Sequence, residues 1–267
     1  MTDVFEFRNV SKGFFSDRKK TTAKMALGGL DLVVREGEFV SLIGPSGCGK
    51  TVTLSMMAGF QMPTTGEVLF KGERVEEPSP ERGVVFQEYS LFPWMSASQN
   101  VAFSVRSAAK AAGSPISRGE ADKLAREALT TVGLADSLDA RPNTLSGGMK
   151  QRVAIARLLA MDSEVFLMDE PFSALDEQTR RALDENLFRL WRQRGKTIVF
   201  VTHDISEAVL MSSRIVLFSK SPGKVLREWE LSADLDRDLS SPALIALAAE
   251  IRAHLPLSSC EFELDQG

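Results

Sequence analysis

Eight consecutive residues, Gly44-Pro45-Ser46-Gly47-Cys48-Gly49-Lys50-Thr51, fit the pattern G-x-x-x-x-G-K-[ST]. Such a loop closes backbone N–H groups around phosphate oxygens. Glycines are needed because a Cβ would hold the backbone away from an oxyanion. The loop follows an apolar run at 39–43 and opens a helical pattern at 51–58, so the partial positive charge of a helix N-terminus adds to its pull on an anion. Chemistry at such a loop gives Lys50 the β- and γ-phosphates and gives the Thr51 hydroxyl a place on Mg²⁺. Val165-Phe166-Leu167-Met168-Asp169-Glu170 supplies the complement. A carboxylate ending a buried apolar run is costly unless it meets a cation. Asp169 is therefore read as the holder of the Mg²⁺ shell, directly or through water, and Glu170 as the group that polarises a water attacking the γ-phosphate. His203 follows a third apolar run, 197–202, at the edge where ligands collect in open α/β sheets. His254 has no comparable context and is assigned no role.

These side chains need rigid elements beneath them. Apolar or β-branched runs alternate with helical patterns, which predicts an α/β layer fold. Strands are expected at 4–10, 30–35, 39–43, 67–70, 83–87, 165–169, 197–202 and 215–219. The unbroken runs 165–168 and 198–201 read as strands of a parallel sheet covered on both faces. Asp176 is placed to cap a helix that stops at Gly195, with Leu183, Leu187, Leu190 and Trp191 as its buried stripe. Ser117 and Glu120 form a capping-box pattern before a helix ending near Gly133. Between 91 and 149 strand signals fade into Ser/Ala-rich helical sequence, which predicts a helical lobe inserted between two portions of the core. Beyond Pro222 a short tail with one helix at 242–254 is expected. Arg18-Lys19-Lys20 reads as a solvated polar loop.

Composition narrows the function classes. The chain has 267 residues, 43% hydrophobic and 25% charged, with a formal net charge of -4. This is a globular composition without the basic field of a dedicated nucleic-acid binder. Two cysteines, Cys48 and Cys260, make no disulfide framework and suit a reducing compartment. The first ten residues include Asp3, Glu6 and Arg8 and no apolar core, so no secretory leader is expected. No apolar run approaches the roughly 18 residues that span a bilayer.

Leu145-Ser146-Gly147-Gly148-Met149-Lys150-Gln151-Arg152 opens the helix before the 165–169 strand, and makes a second anion-ready helix N-terminus. With the phosphate loop, Gln87, the Asp169-Glu170-Pro171 triplet, Ser173-Ala174-Leu175-Asp176 and His203 in the same order, the chain resembles the ATP-binding cassette (ABC) family, whose signature is LSGGQ. The resemblance covers nearly all of residues 4–219. It implies a P-loop NTPase core with a central, mostly parallel sheet, an N-terminal antiparallel β portion and an inserted helical subdomain. The cassette would span 1–220, with its core at 1–90 and 154–220, its helical subdomain at 91–153, and a short extension at 221–267. It also implies a head-to-tail homodimer with ATP and Mg²⁺ at the interface. Each ATP would lie between one subunit's Gly44–Thr51 loop, continued by the Val52 N–H, and Ser146, Gly147 and Gly148 of the other. By the same resemblance Gln87 contacts Mg²⁺ or the attacking water, His203 contacts the γ-phosphate and Asp176 helps join the two sites. Phe14 matches the aromatic that stacks on adenine, with Phe15 as its rival. Val52 replaces the second hydroxyl usual after the loop. Met149 replaces the signature Gln, as in the branch that imports nitrate, sulfonates, taurine and related small anions.

In transporters of this family the region 87–96 receives a helix from the membrane subunit, which makes Phe92, Trp94 and Met95 the expected contacts. No membrane span is fused to the cassette and no long regulatory domain follows it. The resemblance therefore implies a bacterial importer subunit, peripheral on the cytoplasmic face of the inner membrane. It would work with separate integral-membrane permease subunits and, indirectly, a substrate-binding protein. The alternative is a non-transport cassette ATPase with soluble partners; its chromosome-maintenance form is disfavoured because the stretch 88–144 is too short for long coiled coils.

Overall fold

The structure is a computed structural model that describes residues 2–15, 23–232 and 235–255. In chain order the elements are β1 (Asp3–Phe15), β2 (Ala23–Arg35), β3 (Phe39–Ile43), α1 (Lys50–Met57), β4 (Thr65–Phe70), β5 (Glu73–Arg74), β6 (Arg82–Val85), α2 (Ala97–Ala111), α3 (Arg118–Thr131), α4 (Gly147–Met161), β7 (Val165–Asp169), α5 (Glu177–Arg194), β8 (Thr197–Val201), α6 (Ile205–Met211), β9 (Arg214–Phe218), β10 (Val225–Glu230) and α7 (Pro242–His254).

Every residue of β3, β7, β8 and β9 is buried, as continuous apolar runs require when helices cover both faces of a sheet. They form the centre of a six-stranded sheet ordered β10-β9-β3-β8-β7-β6, parallel except for β10 against β9. Alternation along the strands divides the core in two. Phe39, Phe166, Ile198 and Phe200 pack with α4 and with Leu183 and Leu187 of α5, and the same cluster continues into α2 and α3. Val40, Leu42, Leu167, Val199 and Val201 face the other way, against Leu54 and Met57 of α1 and the apolar side of the second sheet. That second sheet is antiparallel, ordered β2-β1-β4-β5. Each fully buried Phe or Leu contributes about 1.5–3 kcal/mol of burial, so the two clusters together fix how the phosphate loop, β7 and β8 stand relative to one another.

The helical region is held by its caps. Ser96 and Gln99 form a reciprocal capping box on α2, Ser117 accepts from the Glu120 N–H at α3, and Ser146 accepts from the Met149 N–H at α4. Buried Asn100 bonds the Phe92 N–H and the Phe92, Met95 and Ser96 carbonyls, tying 92–96 to α2.

Three expectations change. β1 and β2 run on to Phe15 and back from Ala23, beyond the predicted ends at 10 and 30, because Lys12, Gly13 and Lys24 interrupt the apolar pattern without breaking the pairing. The tail beyond Pro222 is not a lone helix: 225–230 form β10, an edge strand of the central sheet, and α7 packs on α6 through Leu244, Ala248 and Ile251. β6 ends at Val85, so Gln87 stands in the loop after the strand rather than at its last residue. The Arg18-Lys19-Lys20 cluster and Cys260 lie outside the described residues. Among the described residues no helix is long and apolar enough to cross a membrane.

Candidate functional site

β3 ends at Ile43, and the chain turns through Gly44 (φ 146°), Gly47 (φ 74°) and Gly49 (φ 99°) into α1. Side chains rarely adopt these backbone conformations. At Gly49 space is also short, since a Cβ would lie 2.5 Å from Leu27 Cδ2. No side chain caps α1 and its first turn holds no acidic residue, so its N–H groups face the cleft as an anion site. The Lys50 ammonium donates to the Gly44 carbonyl at 2.8 Å and the Pro45 carbonyl at 3.1 Å, with Cys48 Sγ at 3.6 Å. A cleft of about 560 Å³ opens here, walled by Ser46, Gly47, the other loop residues except Pro45, and Val52, and closed by Ala26, Gln87, Glu170 and His203.

The acidic side of the cleft comes from β7. Asp169 is buried at the strand end, within reach of the Thr51 side chain. Burial pushes its carboxyl up; the Thr51 side chain and the Lys50 charge pull the other way, while Glu170 adds to the rise. A carboxylate and a hydroxyl side by side are hard oxygen donors that suit Mg²⁺. Among the described residues no cluster of three or more His, Cys, Asp or Glu could hold a metal alone, and Gln87 lines the same cleft as a further oxygen donor. Glu170 has φ 45°, a strained value for a residue with a side chain. Its N–H bonds the Val201 carbonyl at 2.9 Å, and its carbonyl accepts from Ser173 Oγ at 3.0 Å. This geometry sends the carboxylate across the strand ends to His203, with Oε2 3.3 Å from Nδ1. His203 itself is positioned by its neighbours: Thr202 Oγ1 bonds the Glu207 carboxylate at 2.6 Å and accepts from the Asp204 N–H at 3.0 Å, while Asp204 caps α6.

Other expected site residues stand elsewhere in the single chain. Ser146, Gly147 and Gly148 do not line the cleft; Ser146 is exposed at the start of α4, Gly147 lies beside the Tyr89 hydroxyl, and Gly148 is backed by the Ala174 carbonyl. Asp176 is also off the cleft. It caps α5 by accepting from the Thr179 N–H at 2.9 Å, which holds its carboxyl below the usual range. Phe14 and Phe15 are exposed at the far end of β1; the Lys12 ammonium sits 5.4 Å over the Phe14 ring, and neither aromatic reaches the cleft wall. Sequence reasoning missed Ala26, whose side chain carries no chemical signal, and the turn 219–224, which closes on the back of the phosphate loop through Gly223.

A family model described as ABC transporter matches residues 27–173. The bicarbonate transport ATP-binding protein CmpC of Synechocystis is 49% identical over 199 residues, which are 74% of this chain but only 29% of the relative. The chain thus spans less than a third of that relative's length. The nitrate import ATP-binding protein NrtD of Synechococcus elongatus is 42% identical over 221 residues, 83% of this chain and 79% of the relative. Among solved structures, the dimeric post-hydrolysis state of the ATP-binding cassette MJ0796 bound to ADP and Pi superposes with TM-score 0.77 at 34% identity, covering 86% of this chain and 99% of that one.

Proposed function

The chain belongs to the ABC transporter family of ATP-binding proteins, and from that premise we propose that it is the ATP-hydrolysing subunit of an importer for a small anion. The observation that carries the proposal is the Glu170–His203 pair, 3.3 Å apart, lining the same cleft as the phosphate loop, with Asp169 and Thr51 beside it. In this reading the N–H groups of the loop and the Lys50 ammonium bind the β- and γ-phosphates, and Val52 adds only its N–H. Thr51, Asp169 and Gln87 hold Mg²⁺, which when bound neutralises charge on the phosphate oxygens. Glu170 takes the proton of the attacking water as its oxygen bonds the γ-phosphorus; the bond to the ADP oxygen breaks, and that oxygen keeps the electron pair. His203 orients the Glu170 carboxylate and reaches the γ-phosphate.

A single cleft lacks Ser146, Gly147 and Gly148, and the proposed dimer supplies them from a second copy placed head to tail, with Asp176 near the junction. The family neighbour MJ0796 is dimeric, which supports that arrangement. Within the proposed core, beside its two junctions with the helical subdomain (91–153), runs a groove of about 240 Å³ lined by Phe60, Phe86, Tyr89 and Arg157 among others. Trp94 stands 67% exposed on the same connecting stretch, against Phe92. We assign this face to a permease subunit, which would hold the protein peripherally on the cytoplasmic side of the membrane, with a substrate-binding protein acting beyond it. A small-anion cargo is supported by similarity to proteins named for bicarbonate and nitrate transport.

Affinity purification of the tagged protein from detergent-solubilised native membranes, followed by mass spectrometry, tests the assignment. A multi-span protein recovered in about equal amount is the expected result. Intact ATPase activity with only soluble partners would move the protein to the non-transport class.

A further inference from the structure

We propose that Gly223, in the turn joining β9 to β10, is a positioning residue for the nucleotide: its bare backbone sets the aim of the Gly49 N–H at bound phosphate. The proposal rests on the reading of the Gly44–Thr51 loop as the triphosphate site. A Cβ at position 223 would collide with the Cys48 carbonyl oxygen. Gly223 is not among the positive-φ glycines, so the backbone there accepts any residue, and the missing side chain serves the close approach alone. The Cys48 carbonyl and the Gly49 N–H belong to one planar trans peptide and point in opposite directions. With the carbonyl directed out of the back of the loop at Gly223, the N–H is directed forward, where Gly49 lines the cleft. That N–H makes no hydrogen bond among the described residues, which leaves it for a ligand oxygen. A push on the carbonyl rotates the whole plane and turns the donor away.

The turn is itself anchored so that it can bear on the loop. The Gly223 N–H bonds the Ala26 carbonyl at 2.8 Å, the Gly28 N–H bonds the Gly223 carbonyl at 3.2 Å, and Ser221 Oγ bonds the Met25 carbonyl at 2.7 Å. At the other end of the loop, a Cβ on Gly44 would lie 3.0 Å from the Phe218 carbonyl. β9 and its turn thus back the loop at both ends, and strain in the turn would be delivered to the phosphate site.

Binding of ATP and of inorganic triphosphate, measured by calorimetry on folded wild type, Gly223→Ala and Ser221→Ala, tests this. Gly223→Ala is expected to weaken both ligands alike by about tenfold or more, the scale of one charge-assisted hydrogen bond. Ser221→Ala, which only loosens the tether, is expected to weaken them about two- to fivefold, the scale of a neutral hydrogen bond. Affinity of the folded protein is the readout, because a loss of stability alone does not change it. Wild type that binds ATP together with variants of unaltered affinity overturns the role of Gly223. Wild type that binds neither ligand overturns the reading of the loop instead. Should Gly223→Ala fail to fold, Ser221→Ala decides, and unaltered affinity in it overturns the proposal.

Discussion

Glu170 carries two costs at once: a left-handed φ of 45° and a half-buried carboxylate facing His203 at 3.3 Å. Strain of order 1–3 kcal/mol at a residue with a side chain persists only where the surroundings enforce it, and here the Val201 carbonyl and the Ser173 hydroxyl do so. Glu170→Gln keeps the shape and removes the base. We expect ATP binding within a few-fold of wild type and turnover lowered by about 10²–10⁴, read as single-turnover phosphate release; unchanged turnover would remove Glu170 from the role of base. The loop, Asp169, Glu170 and His203 were legible in sequence because each is a local pattern, an apolar run ended by a chemically active residue. Gly223 was not, since its partner Cys48 is far away along the chain and its φ is ordinary. Phe14 is a different case: an aromatic at a plausible spacing stands in the structure beside Lys12, outside the lining of the phosphate cleft.

At the scale of elements, the packing of α5 on α6 encloses Asp184. Burial pushes its carboxyl up to about 8; Glu207, Asp204 and Glu185 add to the rise, Arg180 opposes it, and one carboxyl oxygen has no hydrogen-bond partner. An unfolded aspartate titrates near 3.9, so between about pH 4 and pH 8 the folded chain holds a proton that the unfolded chain has released. In that window stability falls as pH rises, and the dependence ends above and below it. Asp184→Asn has no proton to lose. Its Tm advantage over wild type is expected to be larger at pH 7.5 than at pH 5, by calorimetry; an equal difference at both would mean that the carboxyl is not raised. Among the strands, β3, β7 and β8 were legible to the residue or nearly so, because burial on both faces leaves unbroken apolar runs. β10 escaped because an edge strand needs few apolar residues. Of Val225-Leu226-Arg227-Glu228-Trp229-Glu230 only Trp229 is buried, and charged side chains on an edge discourage pairing with other molecules.

For the whole molecule, the separation of Ser146, Gly147 and Gly148 from the cleft makes the proposed head-to-tail dimer testable without a structure of it. Lys50→Ala disables a chain's phosphate loop, and Ser146→Arg disables its signature. In the proposed arrangement a mixed dimer of the two variants pairs one intact loop with one intact signature. Each variant alone is expected to be inactive, and mixing them is expected to restore hydrolysis to a substantial fraction of wild type. No recovery on mixing, with dimers present by light scattering, would place both motifs in a single chain's site. The sequence carried the two motifs plainly. It carried nothing that located them relative to each other, because that distance is set by the packing of α4 between the helical region and the central sheet.

Ser146 lies exposed at the start of α4, outside the cleft of its own chain, and this bears on kinetics in dilute solution. If neither copy completes a site alone, hydrolysis by the isolated subunit is second order in protein: on dilution below the dimer dissociation constant, total rate falls with the square of concentration, and specific activity falls in proportion to it. A permease that holds two copies side by side abolishes that dependence, because the encounter has already occurred. In the proposed transporter the membrane partner would then act first as a matchmaker, setting when fuel is burned by setting whether the two halves meet.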